Sequence, residues 1–247
     1  MERVICAWII SFFIYGFFGW IWESLICPII MNYKIRNRGF LNGPVVPIYG
    51  VGALVISLLF SSRENIHSIF LEGAVVACFI EYITSWAMEA LYHRRWWDYS
   101  DKKFNLNGRI CLEGFLVFGL FSVFVVKYIH PALIQKILEN DNTILLVVIA
   151  TVLVTLLCVD LVLTIVSLIH LEEKVDSLLK EIEGHMQKAY DEFEASKTNW
   201  NEVIEILQEM EKQNQHKCFK NKKYIEHRII KAFPHLMKRN KGRVKSL

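Results

Sequence analysis

From Val4 to Trp22 the chain carries no charged residue, and four further apolar stretches follow before position 170. A helix needs about 20 apolar residues to cross the hydrocarbon core of a bilayer. Inside that core every backbone N–H and C=O must be satisfied internally, so only helices and closed barrels can span it. No strand-like alternation competes with the helical reading of these runs. They predict an all-α fold, a polytopic membrane helix bundle of about five transmembrane helices. Composition agrees, since 53% of the 247 residues are hydrophobic, against about 45–50% in soluble domains.

The spans are expected at about residues 4–31, 44–60, 68–92, 110–129 and 143–169. Only Met1-Glu2-Arg3 precede the first run, which is too long for the apolar region of a signal peptide. No small-x-small cleavage site follows it, so it reads as a retained anchor. The second span has a defined start, with Asn42 as its N-cap and Pro44 in the first turn. Gly16 and Gly19 in the first span, and Gly50 and Gly52 in the second, are read as points where helices approach closely. The six cysteines are scattered singly with no C-x-x-C pair, so neither a zinc site nor a disulfide framework is expected. No cofactor motif, metal-ligand set or catalytic set is expected either.

Basic residues in the connections set the orientation, because cytoplasmic loops are enriched in Lys and Arg. The first connection holds Lys34, Arg36 and Arg38 without an acid, and the third holds Arg94, Arg95, Lys102, Lys103 and Arg109 against Asp98 and Asp101. The second and fourth are charge-balanced. A cell-membrane protein with its amino terminus outside and its carboxyl region in the cytoplasm is therefore expected.

Residues 1–170 form the expected transmembrane domain and are neutral overall; residues 171–213 carry twelve acids and five bases, net −7. Leu171, Val175, Leu178, Ile182 and Ala189 follow a heptad rhythm that resumes with Phe193, Trp200, Val203, Leu207 and Met210. This predicts an amphipathic cytoplasmic helix continuing from the membrane, able to form a coiled-coil homo-oligomer, pack on another partner or fold back on its own chain. Residues 214–247 form a basic tail, net +10. Its Tyr224, Ile225, Ile229, Ile230, Phe233 and Leu236 among lysines and arginines suit a segment lying on anionic lipids; a frayed solubilising tail is the alternative. No nucleic-acid reading module accompanies these bases, so a nucleic-acid partner is not expected.

Chemistry concentrates between the third and fourth spans. His93-Arg94-Arg95-Trp96-Trp97-Asp98-Tyr99-Ser100-Asp101 and Asn107-Gly108-Arg109 form a polar and aromatic loop next to Glu81, Glu89 and Glu113. A carboxylate at the centre of a membrane helix costs about 3 kcal/mol even on lenient scales, so it signals a polar pathway, a buried partner or a helix contact. Glu81, Ser85 and Glu89 are spaced i, i+4, i+8 and line one stripe, the two carboxylates about 12 Å apart along it. Glu23 and Asp160 stand inside the first and fifth spans and take the same alternatives. Trp96 and Trp97 beside Tyr92 and Tyr99 fit an aromatic belt at headgroup level better than ligand stacking. His93 and Glu89, one turn apart, could form a proton-transfer pair.

Arg38-Gly39-Phe40-Leu41-Asn42-Gly43-Pro44, Pro47-Ile48-Tyr49-Gly50, Glu81-Tyr82-Ile83-Thr84-Ser85-Trp86, Arg95-Trp96-Trp97-Asp98-Tyr99-Ser100 and Gly108-Arg109-Ile110-Cys111-Leu112 occur in this order. With these motifs the chain resembles, over about residues 10–135, the bacterial family of CmpB-like, type IV ABC-transporter permeases. The resemblance implies a membrane component of a transport system and brings no assigned substrate or catalytic residue. The chain has no G-x-x-x-x-G-K-[ST] phosphate loop, so ATP hydrolysis would belong to a separate subunit. It also lacks the acidic-Ala-Ala…Gly coupling-loop pattern of many importer permeases.

Three functions remain, in this order. The first is a permease with Glu81 and Glu89 in a polar route and the loops Arg38 to Pro44 and Arg94 to Arg109 as its cytoplasmic gate or docking surface. The second is a membrane scaffold or sensor signalling through the 171–213 helix. The third is an interfacial enzyme acting on a lipid headgroup through Asp98, Asp101, His93 or Glu89.

Overall fold

The computed structural model describes residues 1–32, 34–92, 95–140 and 142–196. Helix α1 (Glu2–Ile21) widens into a π turn (Trp22–Ile26) and continues as α2 (Cys27–Ile30). Helices α3 (Pro47–Phe60) and α4 (Ile66–Tyr92) follow, then a hairpin of β1 (Asn105–Leu106) and β2 (Ile110–Cys111). Helix α5 (Leu112–Phe124) passes through a second π turn (Val125–Ile129) into α6 (His130–Leu138), and α7 spans Thr143–Ser196.

Both π turns stand just before a proline, Pro28 and Pro131. Proline lacks an N–H and its ring displaces the carbonyl four residues back. The ladder absorbs this by widening: Cys27 N–H bonds Trp22 O, and His130 N–H bonds Val125 O, each five residues back. The fourth apolar run therefore does not stop near residue 129 but continues to Leu138.

Among the described residues four stretches are long and apolar enough to cross a membrane: Glu2–Ile30, Ile66–Tyr92, Leu112–Leu138 and Thr143–Leu171. The all-α membrane bundle is thus present, with one difference. The expected second span is a helix of only 14 residues, about 21 Å against a hydrocarbon core of about 30 Å. It begins late because Pro47, not Pro44, occupies the first turn, and Val46 is its N-cap. Asn42 does not cap it; its carboxamide is drawn to Asp160 instead.

Glycines set the contact of α1 with α3. A Cβ on Gly16 would stand 2.7 Å from Val45 Cγ1, and one on Gly50 2.6 Å from Phe12 Cδ2; on Gly19 it would overlap the Tyr49 ring. Gly52, expected to serve likewise, meets nothing within 4 Å. An apolar cluster of Ile56, Phe60, Ile69 and Val126 ties α3 to α4 and the second π turn, and one of Cys6, Leu146 and Ala150 ties α1 to α7.

The chain divides into two compact units, the first including Met1–Val162 and the second beginning at Leu163. In the second, α7 stays helical to Ser196. Of the heptad positions, the side chains of Val175, Leu178, Ile182, Ala189 and Phe193 lie outside the described residues, as do Trp200, Val203, Leu207, Met210 and the whole basic tail.

Candidate functional site

The loop after α4 is folded around a tight hairpin. Asn107 and Gly108 both have positive φ, 53° and 67°, and Arg109 N–H bonds Leu106 O at 3.0 Å. This is the primed turn that an Asn-Gly pair favours, because its twist matches that of two antiparallel strands. Tyr99 N–H bonds Gly108 O at 2.8 Å, and Trp97 Nε1 donates to Arg109 O at 3.2 Å, closing the Trp-Trp segment over the hairpin. Trp96 is 4% exposed, packed against Phe40 and Tyr92 with centroids 5.3 and 5.8 Å away. It joins two loops inside the fold and does not stand in an outward aromatic belt.

The hairpin delivers Arg109 to the stripe on α4. Its Nη2 stands 2.7 Å from Glu89 Oε2, Nη1 is 3.4 Å from Ser85 Oγ, and the guanidinium lies 5.6 Å from the centroid of the Tyr82 ring. Arg95 shares Glu89 at 3.3 Å and reaches Asp98 at 3.6 Å and Asn107 O at 3.1 Å. Asp98 also accepts from the Ser100 amide and hydroxyl. Glu89 is thus neutralised by two arginines supplied by the loop, which lowers the cost of a carboxylate near a helix end.

One and two turns deeper the charge balance changes. Glu81 is 8% exposed; its Oε1 accepts from the Tyr99 hydroxyl at 3.2 Å, and its Oε2 has no hydrogen-bond partner among the described residues. Glu23, on the first π turn, accepts from the Tyr49 hydroxyl at 2.6 Å. The bare backbone of Gly19 lets the Tyr49 ring lie against α1 and reach it. Burial, then the charges of Glu81 and Glu23 and the Cys111 thiol, push the Tyr99 hydroxyl well above its usual value of 10. Both acids therefore lie within electrostatic reach of one phenol. Among the described residues neither has an ion-pair partner.

A second loop closes the same end. Asn37 Oδ1 accepts from Trp20 Nε1 and from Gly39 N–H, each at 2.9 Å, and its Nδ2 donates to Asn42 O at 2.8 Å. Arg38 N–H bonds Ser24 Oγ at 3.1 Å. Asp160 receives Asn42 N–H at 3.0 Å, Asn42 Nδ2 at 2.9 Å and Gly43 N–H at 2.7 Å. The intramembrane acid of the fifth span is a clamp on a loop. Pro44 is exposed and outside this network.

Of the residues singled out from sequence, the fold assembles Glu89, Arg95, Asp98, Asn107, Gly108 and Arg109 in one network and Glu81 with Tyr99 in another, while Glu23 meets Tyr49. Arg38, Gly39, Asn42, Gly43 and Asp160 form a third. Glu113 belongs to none of these; it is exposed and pairs with Lys102 at 2.9 Å. His93 and Arg94 lie outside the described residues, and with them the His93–Glu89 pair. Tyr49, Tyr82 and Asn37 were not foreseen as site residues. Spacing along one helix cannot show that Tyr49 meets Glu23, whereas Asn107-Gly108 carried a recognisable hairpin signal.

These features define a membrane-embedded, polytopic helical protein whose buried carboxylates lie near two hydrogen-bonded loops. Residues 10–165 match the family described as "Putative ABC-transporter type IV", and the chain belongs to that family. The match runs beyond the expected limit near residue 135 and takes in Asp160. No curated protein and no solved structure matches the chain.

Proposed function

We propose that this chain is the permease subunit of a transport system, with its polar route running past Glu81 toward the cytoplasmic end of the bundle. The observation that carries the reading is the Glu81 carboxylate, buried in a membrane helix with one oxygen held by Tyr99 and the other unpartnered. Such a group signals a polar pathway, a buried partner or a helix contact, and the oxygen left unpartnered beside Tyr99 favours the pathway. Family membership supports the transport class. The Lys and Arg bias of the two pinned loops supports a cytoplasmic position for that end and for the carboxyl region. There the loops can dock a separate ATP-hydrolysing subunit, and the basic tail can meet anionic lipid.

A scaffold or sensor is the second reading, favoured by the continuation of α7 from membrane length to Ser196. The interfacial-enzyme reading has less support, because Asp98 is engaged by Arg95 and Ser100 as a turn-holding group. The test is purification of the full chain from native membranes into nanodiscs, beside a version ending at His170, with co-purifying proteins identified by mass spectrometry. An ATP-binding subunit recovered with both is the expected result. Recovery of the chain alone, or of a non-ATPase partner that needs the 171–247 region, would replace the permease with the scaffold.

A further inference from the structure

Resting on the permease reading, we propose that Glu23, Tyr49, Glu81 and Tyr99 form a binding site for a small monovalent cation, an alkali ion or a primary ammonium. Each tyrosine donates its only hydroxyl proton to a carboxylate, Tyr49 to Glu23 at 2.6 Å and Tyr99 to Glu81 at 3.2 Å. After those two bonds the four polar groups retain lone pairs and no donor. The buried Glu81 Oε2 is one such lone-pair site without a partner. The ligand that suits such a set brings positive charge or N–H donors and no acceptor of its own.

Charge points the same way. Arg95 and Arg109 are both committed to Glu89, and Glu23 and Glu81 have no ion pair among the described residues. Two carboxylates within reach of one phenol, in a low-dielectric interior, repel each other and lose hydration. A single positive charge between them offsets both effects. The ligands are hard oxygens, which favour alkali ions or ammonium over soft transition metals. Glu23 itself sits on a π turn, a helix irregularity frequent at functional sites.

The scaffold holds the four groups in place without the cation. Gly19 fixes the Tyr49 ring, the hairpin fixes Tyr99 through its bond to Gly108 O, and Glu81 lies mid-helix on α4. Ser11, 0% exposed, adds an oxygen without a hydrogen-bond partner among the described residues farther along α1. Ser11, Tyr15, Gly19 and Glu23 are spaced by four and share one face of α1.

The experiment is a thermal-unfolding titration of the full chain in nanodiscs of zwitterionic lipid at pH 8. Sodium chloride or methylammonium chloride replaces N-methyl-D-glucamine chloride at constant ionic strength. The expected result is a saturable rise in unfolding temperature with at least one of the two small cations; which one responds identifies the alkali or the ammonium source. Glu81→Gln should unfold no lower than the wild type without small cation, because it removes an unpaired buried charge, yet lose the increment. Tyr99→Phe should weaken the midpoint at least tenfold, and Glu113→Gln, at an exposed pair, should keep the wild-type response. No saturable response in the wild type, or an undiminished response in Glu81→Gln, would overturn the proposal. Its failure is separable from that of the permease: an ATPase recovered without cation binding removes the site alone, and cation binding without an ATPase removes the permease alone.

Discussion

Asp160→Ala removes the single acceptor of three hydrogen bonds that hold the 37–43 loop, from Asn42 N–H, Asn42 Nδ2 and Gly43 N–H at 3.0, 2.9 and 2.7 Å. Hydrogen bonds to a charged group contribute about 1.5–3 kcal/mol each, and three on one carboxylate are not additive. Asp160 is half-buried, and water can reclaim part of the loss. A total near 3 kcal/mol is therefore expected, or roughly a 150-fold change in the local opening equilibrium. Asp160→Asn keeps one acceptor oxygen but presents an amide N–H₂ to donors, so about half of that effect should remain. The assay is amide hydrogen exchange by mass spectrometry on the chain in nanodiscs, following the peptide that contains Asn42 and Gly43. Exchange there should accelerate about 100-fold in Asp160→Ala, while peptides from the middle of α4 keep wild-type rates. If the Asn42 and Gly43 amides exchange at the wild-type rate in Asp160→Ala, the clamp does not hold the loop and the reading of this acid fails.

Gly108→Ala places a Cβ 2.6 Å from Asp98 Oδ1 and 3.0 Å from Arg95 Nη1 at a φ of +67°. A cost of about 1–3 kcal/mol should appear as easier proteolysis of the 95–111 loop. Gly50→Ala meets Phe12 Cδ2 at 2.6 Å and Phe12 O at 2.8 Å, whereas Gly52→Ala meets nothing within 4 Å; thermal melts should show the first destabilised and the second unchanged or slightly stabilised. Glu89 binds Arg109 at 2.7 Å and Arg95 at 3.3 Å, and Arg109 is the more buried. Double-mutant cycles of Glu89→Gln with each arginine changed to Gln should therefore give the larger coupling for Arg109. Tyr99 keeps its proton in the fold at pH values where the unfolded chain has ionised it. Its contribution is complete below about pH 10 and declines as pH rises from there toward the folded-state value. Melts between pH 9 and 11 should fall more steeply for the wild type than for Tyr99→Phe; equal slopes would contradict the burial of that hydroxyl.

Apolar run length and loop charge are local properties of the chain, and they alone determined that this is a helical membrane protein with a dense group of polar residues next to the loop after the third span. The stripe of Glu81, Ser85 and Glu89 was legible for the same reason, since helical spacing translates directly into a shared face. Where helices end depended on more than hydropathy: Pro131 widens its helix without ending it, and Pro47 displaces Pro44 as the start of α3. Partnerships across the bundle were beyond any local signal. That Glu23 meets Tyr49, that Tyr99 reaches down to Glu81, and that Asp160 clamps Asn42 and Gly43, 117 or more positions away in sequence, follow from which helices pack. Close packing of α1 on α3 at Gly19 is what places Tyr49 against Glu23. An acid in a membrane helix announces its cost from sequence; only the tertiary structure decides whether arginines, backbone amides or a bare pair of phenols meet it.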